Sequence, residues 1–193
     1  MKIIGLTGGI ATGKSTVSKM LVERGFEVID ADVVARDLQV KGSPVLVKLI
    51  KTFGLTILDA DGRLDRAKLG NIVFGSESKR LMLNEVMHPA IKVELQRRIS
   101  QVSAEVVFLD VPLLFEAGFD SLTNRNLVIS VAKEKQLERL MSRSHLTKAE
   151  AVARIDAQMP LDEKIARGDD VIENNGSLQD LAQQVDKFLE GLS

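Results

Sequence analysis

The sequence predicts an α/β protein whose mainly parallel, five-stranded sheet is flanked by helices, and three observations predict it. Short apolar runs alternate with helical patterns five times along the chain, as in a doubly wound sheet. A glycine-rich segment, Gly8-Gly9-Ile10-Ala11-Thr12-Gly13-Lys14-Ser15, joins the first run to the first helix. A strandless stretch of about 70 residues separates the second and third runs, far more than a minimal crossover needs.

Ile3-Ile4-Gly5-Leu6 reads as the first strand, and Ser15 to Glu23, apolar at Val17, Met20 and Leu21, as the first helix. The segment between them has two glycines at the spacing of a phosphate-binding loop, then Lys and a hydroxyl residue. Gly8 and Gly13 are expected to take dihedrals that a side chain would forbid, so that successive N–H groups face a phosphate. The loop feeds a helix N-terminus, which adds its own attraction for anions. Lys14 is placed to reach the β- and γ-phosphates and Ser15 to hold Mg²⁺.

Gly25 stops the first helix, and Phe26-Glu27-Val28-Ile29 reads as a second strand ending in Asp30-Ala31-Asp32. Ligands of open parallel sheets bind beyond the carboxyl ends of the strands, so one of these aspartates can serve as base or Mg²⁺ ligand. Asp32 is favoured; Asp30 is as well suited to cap the helix that begins near Val33. From Val33 to Ser103 the chain reads as helices broken at Gly42-Ser43-Pro44, Gly54, Asp61-Gly62 and Gly75-Ser76, an insertion suited to binding substrate. Within it, His88-Pro89 reads as a helix start with Pro89 at the first position, and His88 is also a candidate contact for an acceptor. Arg97 and Arg98 either meet that acceptor's phosphates or solvate a helix face.

Val106 to Asp110 is the third strand, Leu127 to Val131 the fourth and Asp170 to Ile172 the fifth, with a closing helix from Ser177. Asp110 ends its strand as Mg²⁺-supporting acids do in many phosphate-loop enzymes. Lys133 to Arg167 reads as two helices joined at Ser144-His145-Leu146, the second started by the capping box Thr147-Lys148-Ala149-Glu150. Such a hairpin beside a phosphate site suggests a lid. Arg139 and Arg143 share one face and can swing onto transferring phosphate, or else pair with Glu134 and Glu138. His145, at the joint, is expected in solvent.

Composition narrows the function classes. The 193 residues suffice for one sizeable core, and a net charge of −1 argues against long nucleic acid as a partner. Without cysteine there is no disulfide, zinc-thiolate site or thiol nucleophile. The N-terminal apolar run is too short for a signal peptide or a membrane span, and a cytoplasmic protein is expected. No Asn-Lys-x-Asp follows the fourth strand, which speaks against a guanine-nucleotide switch. Another small phosphate-loop kinase, or a nucleotide-binding module without chemistry, remains as an alternative.

Together these segments resemble the dephospho-CoA kinase family. The resemblance spans nearly the whole chain and rests on Gly5-Leu6-Thr7-Gly8-Gly9-Ile10 through Lys14-Ser15-Thr16, Val28 to Asp32, His88-Pro89, Pro112-Leu113-Leu114-Phe115-Glu116, Asp169 to Ile172, and Asn174-Asn175-Gly176. It implies a P-loop NTPase kinase fold: a nucleotide-binding core at 1–32, 104–132 and 168–193, a helical CoA-substrate domain at 33–103 and a helical lid at 133–167. It implies ATP-dependent phosphorylation of the ribose 3′-hydroxyl of dephospho-CoA by a monomer or weak homo-oligomer. By that resemblance Asp32 is the base, Lys14 the γ-phosphate ligand, Ser15 the Mg²⁺ ligand, and Arg139 or Arg143 the lid arginine. Gly8, Gly9, Ala11, Thr12, Gly13, Lys14, Ser15, Thr16 and Asn175 then bind ATP, and Asp32, His88, Pro112 and Leu113 the substrate. Ala11-Thr12 stands where many members have Gly-Ser, so the loop loses one flexible position while Gly8, Gly9 and Gly13 keep the cradle.

Overall fold

The computed structural model describes residues 1–192, the side chain of Phe74 apart; Ser193, the last residue assigned above to the core, lies outside the described residues. The strands are β1 (Lys2–Gly8), β2 (Glu27–Asp30), β3 (Val106–Asp110), β4 (Arg125–Ser130) and β5 (Asp170–Glu173). They form one sheet in the order β2-β3-β1-β4-β5, in which β1 runs parallel to β3 and β4, and β4 parallel to β5. The central position of β1 fixes where the glycine-rich loop emerges: between the carboxyl ends of β3 and β4.

Helices α1 (Lys14–Glu23) and α9 (Leu178–Glu190) pack against each other on this sheet. The register aligns Ile4 with Phe108, Leu6 with Leu127, and Ile129 with Ile172, so alternate side chains of neighbouring strands share one face. There they bury Val17 and Leu21 of α1 and Leu181 and Val185 of α9. Phe108 is central, with Phe26 edge-on at 5.5 Å. Between β4 and β5 run α6 (Lys133–Ser144), α7 (Lys148–Asp156) and α8 (Leu161–Arg167). The sequence led us to expect two helices here; Pro160 makes the additional break, standing at the N-cap of α8. His145 caps α6 in the left-handed conformation and is exposed, and the Thr147–Glu150 capping box is present.

The chain divides into two compact units, Asp30–Gln101 and the remainder. The first is helical: α2 (Ala31–Leu38), α3 (Pro44–Phe53), α4 (Arg66–Phe74) and α5 (Glu77–Ile99), with one isolated bridge between Leu58 and Leu64. Ser43, Asp65 and Ser76 cap α3, α4 and α5 through their side chains. Helix α5 is the spine, and α2, α3 and α4 all pack on it.

The expected helix start at His88-Pro89 is corrected here: α5 begins at Glu77 and runs through Pro89. Proline suits a first turn, but in a helix interior it removes one hydrogen bond and costs about 3 kcal/mol. Met87, Ile91, Leu95 and Ile99 are buried one turn apart on both sides of it. That stripe requires one continuous helix and outweighs the local cost.

Glu94 knits this unit together. It accepts from Arg97 Nε at 2.7 Å and from Arg98 Nε at 2.9 Å, and Arg98 reaches Asp37 of α2 at 2.7 Å. The two arginine bonds hold the Glu94 carboxyl at about 2, below its ordinary 4.5. A carboxyl depressed by folding adds stability above its unfolded value and loses it as pH falls through the folded one. Glu94→Gln is therefore expected to lower stability at neutral pH and flatten the acid limb between the two values. Denaturant midpoints of both proteins at about pH 7 and about pH 3 check this.

Candidate active site

The loop Gly9–Gly13 leaves β1 and enters α1, whose N-cap, Gly13, makes no side-chain cap bond. The Thr16 N–H bonds the Gly13 carbonyl at 2.9 Å, and no side chain caps the Lys14 and Ser15 N–H groups before it, the arrangement that receives an anion at a helix N-terminus. Gly13 has φ +97°, and a Cβ there would overlap the Asn174 side-chain nitrogen. Gly8 needs no unusual dihedral, contrary to expectation; it is glycine because a Cβ would lie 2.6 Å from the Ile129 carbonyl oxygen. Ala11 takes φ +61°, a left-handed conformation that costs an alanine about 1 kcal/mol.

Behind the loop stands a ring of side-chain amides. Gln136 Nε2, on α6 and 4% exposed, donates to the Ile10 carbonyl at 2.8 Å. Asn174 Nδ2, just past β5 and 8% exposed, donates to the Thr12 carbonyl at 2.8 Å. Gln158 Oε1 accepts from the Ile10 N–H at 2.8 Å. The Thr12 hydroxyl is buried and donates to the Gly9 carbonyl at 2.9 Å. Asn175 uses its side-chain oxygen on the Ala132 N–H at 2.8 Å and its carbonyl on Lys135.

Lys14 reaches Asp110, which is 3% exposed at the end of β3, and the two form an ion pair. The Pro112 carbonyl accepts from Thr7 Oγ1 at 3.1 Å and from Lys164 Nζ at 2.8 Å, while Leu113 is exposed. Lys164 is fully buried and paired with Glu116 at 2.8 Å; Glu116 also accepts from the Met159 N–H at 3.3 Å. A buried ammonium persists only when paired in this way. It fastens α8 and the turn before it to the loop after β3. Arg139 is half-buried and Arg143 exposed, and neither is ion-paired among the described residues, so the alternative of pairing with Glu134 and Glu138 is not adopted.

In the helical unit, Asp30 caps α2, its Oδ1 accepting from the Asp32 N–H at 2.7 Å and the Val33 N–H at 3.2 Å. Asp32, in the first turn, is exposed with an uncommitted carboxylate among the described residues. His88 is half-buried on α5, and burial lowers its imidazole from the ordinary value, favouring the neutral ring at pH 7. Arg97 and Arg98 are spent on Glu94 and Asp37.

A glycine-rich loop between the central strand and first helix, with a lysine and buried aspartate at its mouth, has the layout of a phosphate-loop nucleotide-binding protein. The sequence profile of the family described as Dephospho-CoA kinase matches residues 2–180. The chain belongs to the dephospho-CoA kinase family. It is similar to a Dephospho-CoA kinase from Carboxydothermus hydrogenoformans, 49% identical over an alignment that covers 98% of this chain and 94% of that one. It is similar in structure to the dephospho-CoA kinase from Campylobacter jejuni, with a TM-score of 0.75, 32% identity, and coverage of 100% and 98%. Shikimate kinase from Acinetobacter baumannii, 18% identical with a TM-score of 0.56 and coverage of 100% and 95%, shares the fold alone, that of the P-loop kinases.

The sequence reading missed Gln136, Gln158 and Asn174, although two of them carried a signal. Asn174 lies two residues past buried Ile172 at a strand end, and Gln136 lies one turn before buried Leu140. Gln158 had none. Among the described residues no group of three acidic, histidine or cysteine side chains suits a metal, and no helix is long and apolar enough to cross a membrane.

The loop geometry gives opposite expectations for two small substitutions. Gly13→Ala puts a methyl on the Asn174 nitrogen at positive φ, and is expected to destabilise the protein by more than about 1 kcal/mol and to raise the KM for ATP. Ala11→Gly relieves the left-handed alanine and is expected to leave stability equal or up to about 1 kcal/mol higher. Denaturant melts with ATP saturation curves measure both.

Proposed function

We propose that this chain performs its family's reaction with Lys14, Ser15, Asp32 and the lid arginines, transferring the γ-phosphoryl group of ATP to the ribose 3′-hydroxyl of dephospho-CoA. The observation that carries the reading is Lys14 poised at the mouth of a phosphate loop in a chain that matches dephospho-CoA kinases almost end to end. The N–H groups of the loop and of α1 receive the phosphates, and Lys14 exchanges its Asp110 partner for the β- and γ-oxygens. Asn175 borders the nucleotide. Asp32 orients the 3′-hydroxyl and takes its proton as the oxygen bonds to the γ-phosphorus and the bond to the ADP oxygen breaks. A carboxylate is a weak base for an alcohol, but the transition state is loose and positioning matters more. Asp30 is committed to its cap, which supports the choice of Asp32.

Arg139 and Arg143 of α6 are proposed to meet the equatorial oxygens of the transferring group, where fixed positive charge lowers the barrier. Asp32, His88, Pro112 and Leu113 are proposed to contact dephospho-CoA. The donor set fits a Mg²⁺ that arrives with the nucleotide: Ser15 is exposed in the first turn of α1, and phosphate oxygens supply the remaining charge. When bound, that ion would neutralise charge on the β- and γ-phosphates. With its near-neutral charge, the chain is proposed to act in the cytoplasm, without nucleic acid, as a monomer or weak homo-oligomer.

Asp32→Asn is expected to keep the affinity for ATP while kcat falls about 100-fold or more. Lys14→Ala is expected to lower kcat by at least a similar factor, through lost charge stabilisation. Initial rates with mass analysis of the 3′-phosphorylated product read both; near-normal turnover by Asp32→Asn would remove Asp32 as the base.

A further inference from the structure

We infer that Gln136 and Asn174 are positioning residues that aim the Ala11 and Gly13 N–H groups at the nucleotide's phosphates by holding the carbonyls on the other side of the same two peptide planes. A peptide bond is planar and trans, so its C=O and N–H point in opposite directions. The described chain contains no cis peptide. Gln136 Nε2 takes the Ile10 carbonyl at 2.8 Å, which turns the Ala11 N–H away from Gln136. Asn174 Nδ2 takes the Thr12 carbonyl at 2.8 Å, which turns the Gly13 N–H away from Asn174. Both amides are almost fully buried, so both N–H groups are directed away from the protein interior.

The intervening N–H groups are already spent. Ile10 donates to Gln158 Oε1 at 2.8 Å, and Thr12 donates to the Gly9 carbonyl at 3.3 Å. Inward-bonded and outward-turned N–H groups therefore alternate along the loop, and Ala11 and Gly13 are the outward pair. They lead directly into the uncapped first turn of α1. An anion at that point meets a row of N–H groups fixed before it arrives, which is how preorganised dipoles bind charge without reorganising.

The glycines serve these two amides as well as the backbone. A Cβ on Gly9 would lie 2.8 Å from Gln136 Nε2, and one on Gly13 would overlap Asn174 Nδ2. The left-handed Ala11 sits between the two restrained planes, so the conformation it dislikes is imposed from both sides. The amides arrive from α6, the first helix of the segment read as a lid, and from the exit of β5, the strand that follows that segment.

The inference rests on the nucleotide reading of the loop, and its test separates the two. The isosteric variants Gln136→Glu and Asn174→Asp replace each donor by an acceptor that repels the carbonyl it faced. Backbone amide spectra of the ¹⁵N-labelled full chain, titrated with ADP and Mg²⁺, report Ala11 and Gly13 individually. In the unsubstituted protein both amide protons are expected to move downfield. Gln136→Glu is expected to abolish the response of Ala11 but not Gly13, and Asn174→Asp the reverse. Each is expected to raise the KM for ATP about tenfold while the KM for dephospho-CoA stays put.

Unchanged responses in both variants overturn the inference. So does the loss of both responses together with a lowered Tm, which marks a general packing role. If the variants do not fold, the unsubstituted protein decides, because Ala11 and Gly13 amides that ignore ADP contradict the aim assigned to them. Should dephospho-CoA fail as acceptor while the two amides respond as described, the function proposed above falls and this inference stands.

Discussion

A loop that binds phosphate through its backbone must face N–H groups toward a charge, and each peptide plane then faces a carbonyl the other way. That carbonyl needs a donor inside the protein, because a buried carbonyl without one costs as much as a lost hydrogen bond. In this chain the donors are Gln136 and Asn174. Their positions depend on β4 lying beside β1 and β5 beside β4, both in parallel register, and on α6 starting where β4 ends. The sheet order is thus a condition of the anion site and not merely its support. The Asn174 N–H bonds the Ser130 carbonyl at 2.8 Å, carrying the ladder one residue past β5 and fixing the side chain that reaches the loop.

The same logic divides the segment between β4 and β5. Its second half is fastened to the core: Gln158 to Ile10, Met159 to Glu116, and buried Lys164 to Glu116 and Pro112. Its first half carries Arg139 and Arg143 without ion-pair partners among the described residues. A buried lysine that holds a helix down must be paired. Lys164 is fully buried beside its partner, whereas Arg143 is exposed.

Most of the architecture was legible because apolar runs between glycines leave few alternatives. Val106 to Asp110 was read with the bounds the structure shows, and the fourth and fifth strands were displaced by a residue or two. Two prolines misled in opposite ways. Pro89 looked like a helix start and lies inside α5, because a stripe of buried side chains overrides a local signal. Pro160 was passed over and stands at the N-cap of α8, separating it from α7. Around the loop, Lys14, Ser15 and the glycine pattern were legible because their spacing carries the chemistry. Gln136 and Gln158 were not, since their role depends on meeting Ile10 from more than a hundred positions away. Attention fell on Asn175, while strand alternation places its neighbour Asn174 on the buried face. The sequence already favoured Asp32 over Asp30, and the α2 cap adds a physical ground for that preference.

The central claim is that the chain uses its phosphate loop to phosphorylate dephospho-CoA. The most direct measurement is the initial rate of ADP formation from ATP and Mg²⁺ with dephospho-CoA, set against adenosine, AMP, shikimate and no acceptor. The account predicts a rate that rises only with dephospho-CoA and a product with the mass of CoA. A higher rate with any other acceptor, or ADP release that ignores acceptor altogether, would contradict it.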